Sequence, residues 1–453
     1  MPDQAILNHA AQILAAISTD QRADAAMRFY FESHRYLQPP AKRVISHAVF
    51  AYFRWLSWLD PKASPQKRLE QAEAMHERFS ADPKSVKAEA LAVLAVPSWL
   101  ASEMELPPDY LRQLQRDPAL WIRARPGQRD ALAKSLVACE PADLTVASSE
   151  FRAQGSETNV LTSAFQVPGA EFQATSSRGL TQNAEPKTQN SENETRHPEL
   201  GTRNSVAPDA LRFTGTQDLF RTEQFRTGEF EIQDLASQLV GIAAAPQPGQ
   251  TWWDACAGEG GKTLHLADLM KNKGLVWATD RNARRIETLK RRAARAKLFN
   301  YRTDFWDGGS QLPTKAKFDG ILLDAPCSGV GTWQRNPHAR WTTTPNDVRE
   351  LAAMQIVLLN NIAGSLKPGG RLVYSVCTLT RSETTAVASA FTAAHPEFEP
   401  APLFTVGSDQ ASTMNPSLST APKSHAAALT SIQLWPQNIN ANGMFIAAWK
   451  KRR

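Results

Sequence analysis

Apolar residues recur at helical spacing in two early stretches, first at Ile6, Ala10, Ile13, Leu14 and Ile17, then at Val44, Ile45, Ala48, Val49, Tyr52, Phe53 and Leu56. Residues 1–105 therefore read as an all-α domain. From about Gln173 to Pro208 large apolar side chains almost vanish among Ser, Thr, Asn, Gln, Glu and Gly. Such a stretch buries too little surface to offset its ordering entropy, so a disordered insertion is expected there. A second polar stretch, 407–424, reads as a surface loop. After Phe225 apolar strands alternate with amphipathic helices, the mark of a mostly parallel sheet. Strands are expected at 251–254, 275–280, 320–324 and 371–377, with helices starting near Thr263, Asn282 and Pro345. The chain divides on this pattern into 1–105, a small α+β segment 106–227 and an α/β domain 228–453.

With 453 residues the chain is long enough for more than one core. Lys and Arg number 51 against 45 Asp and Glu, a net charge of +6 that favours a polyanionic partner. Arg22, Arg28, Arg35, Lys42, Arg43 and Arg54 are candidates for a phosphate-binding face, although a solvated helix face accounts for them equally. Trp99, Trp121, Arg123 and Arg125 offer indoles and guanidinium groups to a single-stranded loop, with core packing of the two Trp as the other reading. The uncharged run 91–102 contains Pro97 and falls short of the roughly 20 apolar residues that cross a bilayer. The start, Met1-Pro2-Asp3-Gln4, has no leader-like pattern, and a cytoplasmic location is expected. Four cysteines occur, Cys139, Cys256, Cys327 and Cys377, with no Cys-x-x-Cys pair, so cysteine spacing indicates neither a disulfide framework nor a metal site.

The string DACAGEGGKT, 254–263, places Gly258, Gly260 and Gly261 between a strand and a helix, where small residues let backbone approach a ligand. About 20 residues on, Asp280 ends the next strand, the position from which a carboxylate holds ribose hydroxyls. A phosphate-binding P-loop is excluded because it needs glycine where Cys256 stands. A nicotinamide site, or a glycine turn that binds nothing, stays open on the glycines alone. Asp304 reaches for the adenine in the same cleft, with helix capping as the alternative.

Two further motifs each close a core strand with a cysteine, DAPCSG at 324–329 and YSVCT at 374–378. Neighbouring strands would bring Asp324, Cys327 and Cys377 to the sheet edge that carries the cofactor loop. A cysteine is most often a small buried hydrophobe. Here that reading must account for two cysteines at two strand ends. The chemistry that uses both is methylation of carbon 5 of a cytosine. That carbon becomes nucleophilic once a thiolate adds to carbon 6. The addition needs a proton or strong hydrogen bond at ring nitrogen 3, and Asp324 supplies it if a dry pocket raises its pKa.

Together these motifs resemble the Sun-type family of RNA cytosine-5 methyltransferases. The resemblance spans about 228–450 and takes in Gln233-Asp234, Ser237-Gln238, DACAGEGGKT, Asp280, Asp304, DAPCSGVGTWQRNPHARW, YSVCT and a closing GMFIAAW. It implies a Rossmann-like class I methyltransferase domain with a mostly parallel seven-stranded sheet and S-adenosylmethionine as methyl donor. By resemblance Cys377 is the nucleophile, and Cys327 assists breakdown of the adduct. Cys256, Ala257, Gly258, Glu259, Gly260, Gly261, Lys262, Asp280, Asp304 and Asp324 line the cofactor site, and Arg335 and Arg340 approach RNA or the cleft. Three residues depart from the family pattern: Glu259 for a usual proline, Gln334 for the first of two arginines, and His338 for an aspartate. The N-terminal helices resemble a NusB-type RNA-binding domain, which makes small-subunit ribosomal RNA the first substrate expected and transfer RNA the second. A monomer is expected. Amino-methylating enzymes typically show Asn or Asp followed by Pro-Pro and an aromatic residue, whereas this chain has Asp-Ala-Pro-Cys. A noncatalytic RNA-binding factor of the same fold has no need of the two cysteines and the aspartate.

Overall fold

The computed structural model describes residues 3–17, 23–142, 144, 205–404 and 429–453. The polar stretch 173–208 lies outside them except for its last four residues, of which Ala207 is buried, and 407–424 lies outside altogether. So does Arg22.

An all-α layer comes first. Its helices include Pro39–Arg54 and Pro65–Ala81, both opened by proline in the first turn, where its missing N–H costs nothing. Ser64 caps the second by accepting from the Lys67 amide. Helical turns continue to Pro108–Gln113. The apolar faces of these helices form one cluster, and that cluster also contains Val330, Trp333, Leu379 and Trp435 from far along the chain. The helical layer is thus packed directly onto the α/β part.

A small antiparallel sheet follows, built from β1 (Leu120–Ala124), β2 (Cys139–Pro141), β3 (Ala210–Phe213) and β4 (Phe230–Ile232) in the order β2-β3-β1-β4. The large sheet comprises β5 (Thr251–Asp254), β6 (Leu275–Asp280), β7 (Tyr301–Phe305), β8 (Phe318–Asp324), β9 (Leu366–Val376), β10 (Phe398–Pro400), β11 (Ser431–Leu434) and β12 (Met444–Lys451). Its order is β10-β12-β9-β8-β5-β6-β7, with β11 also on β12. The five strands β7-β6-β5-β8-β9 are parallel, and β12 joins β9 antiparallel. The expected seven-stranded sheet therefore gains an eighth, short strand, β11, which follows the polar stretch 407–424 and escapes a periodicity test at four residues.

The chain runs outward from β5 to β7 and then returns to lay β8 beside β5. That reversal is a topological switch point, and open α/β sheets bind ligands there, beyond the strand C-termini. The helices after the strands start where their caps dictate. Asn282 accepts from the Arg284 amide ahead of Ala283–Arg295, and Thr344 forms a capping box with Asp347 ahead of Pro345–Ala363.

Candidate active site

The cofactor loop turns sharply after β5. Gly258 and Gly260 adopt φ +55° and +85°, values that side-chain-bearing residues rarely take. A Cβ on Gly260 would come 2.5 Å from Leu289, whereas one on Gly258 would project into open space, where a ligand has room against the backbone. Asp280 accepts from the Gly258 amide at 2.9 Å and from the Asn282 amide at 2.8 Å, so it ties the loop to the end of β6. Asp254 is wholly buried. One of its oxygens accepts from Thr263 at 2.6 Å and the other has no partner among the described residues. Burial pushes its carboxyl up to about 7. Ala257 is buried, and Cys256 lies alongside it, its thiol pushed up first by burial and then by the carboxylates of Asp254, Asp280 and Asp324. Glu259 is exposed, and its carbonyl accepts from Arg292 at 3.0 Å. Asp304 sits within β7, paired with Thr279, and is exposed, its carboxylate accepting the Phe305 amide. It caps no helix.

The second half of the site is carried by β8 and β9, which place Asp324 and Ser375 in register. Ser375 donates to Asp324 at 2.7 Å, and Lys262, on the first turn after the cofactor loop, donates to the other Asp324 oxygen at 2.7 Å. The expected dry pocket around Asp324 is therefore replaced by an ammonium and a hydroxyl. Burial pulls the Lys262 ammonium down, but its pairing with Asp324 outweighs that and holds it above its ordinary value.

Cys327 follows β8, Cys377 follows β9, and their sulfurs lie 3.3 Å apart. The Cys327 thiol is pushed far up, first by its hydrogen bond to Cys377 and then by burial. The two loops are clamped by a residue that sequence reasoning missed. The buried carboxylate of Glu383 accepts from the Ser328 amide and hydroxyl, from Thr378 at 3.3 Å, from Thr380 at 2.8 Å and from Gln355 at 3.1 Å. A Glu six residues past Cys377 carries no spacing signal, because its partners come from three separate parts of the chain.

Several basic residues expected to face RNA are internal. Arg340 is fully buried and donates to the carbonyls of Ala95 at 2.9 Å, Leu114 at 3.0 Å and Arg54 at 3.5 Å. It locks the helical layer to the α/β part and does not reach solvent. Gln334 is buried and donates to the Asp117 carbonyl at 3.1 Å, while His338 packs edge-on against Phe53. These two departures from the family pattern thus serve the same internal seam. Arg335 is exposed. Arg54, buried, pairs with Asp117. Arg123 and Arg125 both pair with Asp268, Trp121 donates to the Asn440 carbonyl, and Trp99 stands edge-on to Trp333. Arg28, Arg35 and Arg43 remain exposed.

Residues 241–450 match the family described as 16S rRNA methyltransferase RsmB/F. The chain is 42% identical over 181 residues to a probable ribosomal RNA small subunit methyltransferase B of Bacillus subtilis, covering 40% of each chain. It is 34% identical over 252 residues to the protein of that name in Synechocystis, covering 54% of this chain and 53% of the relative. The chain thus spans about half, or less, of the length of these relatives. The solved structure of PH0851 superposes with a TM-score of 0.66 at 21% identity over 100% of this chain and 99% of the other, a likeness of fold. The open face at Gly258 and the Asp280 tether suit a bound adenosine moiety. Residues 241–450 are thus similar to the RsmB/F rRNA methyltransferases, and S-adenosylmethionine is the methyl donor that this similarity supports.

Proposed function

We propose that the protein methylates carbon 5 of a cytosine in small-subunit ribosomal RNA through a transient bond from Cys377 to carbon 6. The observation that carries this reading is the cluster at the ends of β8 and β9, where the Cys327–Cys377 sulfur pair and the Lys262–Asp324 pair share the sheet edge that holds the cofactor loop. S-adenosylmethionine would supply the methyl group, and we assign Cys256 to Lys262, Asp280, Asp304 and Asp324 to hold it.

In this reading the Cys377 sulfur adds to carbon 6 while ring nitrogen 3 takes a proton or hydrogen bond from the Lys262–Asp324 pair. Electron density gathers at carbon 5, which takes the methyl group. Carbon 5 then loses its proton and the thiolate is expelled. Cys327 suits the last stage: what chiefly holds its proton is the hydrogen bond to Cys377, and that bond is lost once Cys377 is joined to the base. Once its proton has passed to solvent, Cys327 accepts the carbon 5 proton as the carbon 6–sulfur bond breaks, and ring nitrogen 3 gives its proton back to the Lys262–Asp324 pair.

The substrate assignment rests on the names of the relatives and on the exposed Arg28, Arg35 and Arg43 of the helical layer, which we read as an RNA-facing surface. The reading places the protein as a cytoplasmic monomer. No helix among the described residues is long and apolar enough to cross a membrane. Incubating the protein with methyl-labelled donor and separate pools of small-subunit ribosomal RNA and transfer RNA tests it. Label is expected as 5-methylcytosine in the ribosomal pool. Label confined to transfer RNA overturns the substrate, and label on any other base overturns the chemistry.

A further inference from the structure

Apart from the cysteine cluster, three metal-ligating side chains converge between the helical layer and the segment leading into β1. His47 lies on the helix Pro39–Arg54, His76 on Pro65–Ala81, and Asp117 three residues before β1. Each offers one ligand atom, and these atoms all lie within 4.8 Å of one another. Nε2 of His47 is 3.6 Å, and Nε2 of His76 is 3.2 Å, from the same Asp117 oxygen, Oδ2. Bonds of about 2.0–2.1 Å to a tetrahedral zinc ion place neighbouring donors roughly 3.3 Å apart, close to both separations.

The surroundings match what a metal-bound imidazole needs. The other ring nitrogen of His47 faces the buried Glu73 carboxylate at 3.3 Å, the arrangement that orients a ligating histidine. Arg54 holds the second Asp117 oxygen at 3.0 Å and so leaves Oδ2 to face the histidines. His76 has no such support, since its Nδ1 is without a partner among the described residues. Asp117 is half-exposed and borders a surface cleft of ≈ 270 Å³, which opens a path from solvent.

We propose that His47, His76 and Asp117 bind one divalent transition-metal ion, zinc in character, with Glu73 as the orienting partner of His47. Three protein ligands leave the fourth position to water. The ion bridges two helices to the strand-leading segment, whose backbone Gln334 holds from the α/β side, so it fastens the helical layer to the catalytic part.

The test uses the full chain with Cys327 and Cys377 both replaced by Ser, because those adjacent sulfurs are themselves a possible zinc site. After chelator stripping, calorimetric titration with Zn²⁺ is expected to show one equivalent bound. Co²⁺ is expected to give a tetrahedral visible spectrum without a sulfur charge-transfer band. His76→Ala and Asp117→Asn should each weaken binding by at least about 100-fold, and Glu73→Gln by roughly 10–100-fold. Circular dichroism checks that each variant is folded. If His76→Ala does not fold, Glu73→Gln and the Co²⁺ spectrum decide. Absence of zinc binding in the stripped protein, or binding unchanged in Glu73→Gln and Asp117→Asn, overturns the proposal.

Discussion

The sulfurs of Cys327 and Cys377 meet at 3.3 Å although 50 residues of chain separate them, because β8 and β9 are adjacent parallel strands that end together. The contact, together with burial, pushes the Cys327 thiol far above its ordinary value. Replacing Cys377 by Ala should lower methyl transfer by roughly 10³-fold or more, as loss of a nucleophile does. Cys327→Ala should instead accumulate a covalent protein–RNA species, visible as a shifted band in a denaturing gel. If Cys377→Ala turns over at the parent rate, the nucleophile is misassigned.

Glu383 gathers donors from both cysteine loops and from the helix Pro345–Ala363. Glu383→Ala leaves several of them buried and unsatisfied, at about 1–3 kcal/mol each where nothing relaxes. A loss of about 3 kcal/mol is expected in urea unfolding, with kcat reduced about tenfold and KM for the methyl donor little changed. An unfolding midpoint equal to the parent's would show that the network is not stabilising.

Arg340 distinguishes an RNA contact from an internal tie. Its guanidinium satisfies three carbonyls at the seam, so Arg340→Ala should cost about 2–4 kcal/mol of stability. The slope of log K for RNA against log salt should stay as in the parent. A phosphate contact would behave oppositely, with normal stability and a slope smaller by about one.

Asp254 links the cofactor loop to pH. Its folded carboxyl titrates near 7 against 3.8 unfolded, because burial disfavours its charge. Below 3.8 it costs nothing. Between about 4 and 7 the unfolded chain ionises first, so this group's contribution to stability falls as pH rises, and above 7 the deficit is constant. At about 1.4 kcal/mol per unit the deficit is roughly 4 kcal/mol. Asp254→Asn should therefore gain stability over the parent at pH 8 but little at pH 4, measured by denaturant unfolding at both values. An equal difference at the two pH values contradicts the assignment.

Much of this molecule is legible along the chain. The strands Thr251–Asp254 and Leu275–Asp280 stand where alternation and turn residues place them, and the helix at Pro345 begins at its own capping box. Gly258, Gly260 and Asp280 are readable too, because a tight strand-to-helix turn restricts which residues fit. All these signals act over a few residues, through backbone geometry and local hydrogen bonds.

The distribution of the basic residues was not legible. Arg340, Arg123 and Arg54 read as solvent-facing charges, and each is buried against carbonyls or a carboxylate from distant segments. Glu383, and the meeting of His47, His76 and Asp117, depend likewise on partners tens of residues away. What the sequence determined by itself is the alternation of elements, the cofactor turn and the inventory of reactive groups. Which charge is buried, how far the Cys327 thiol is pushed up and which side chains meet were decided only in the tertiary structure, because burial and electrostatic pairing depend on neighbours that packing alone brings together.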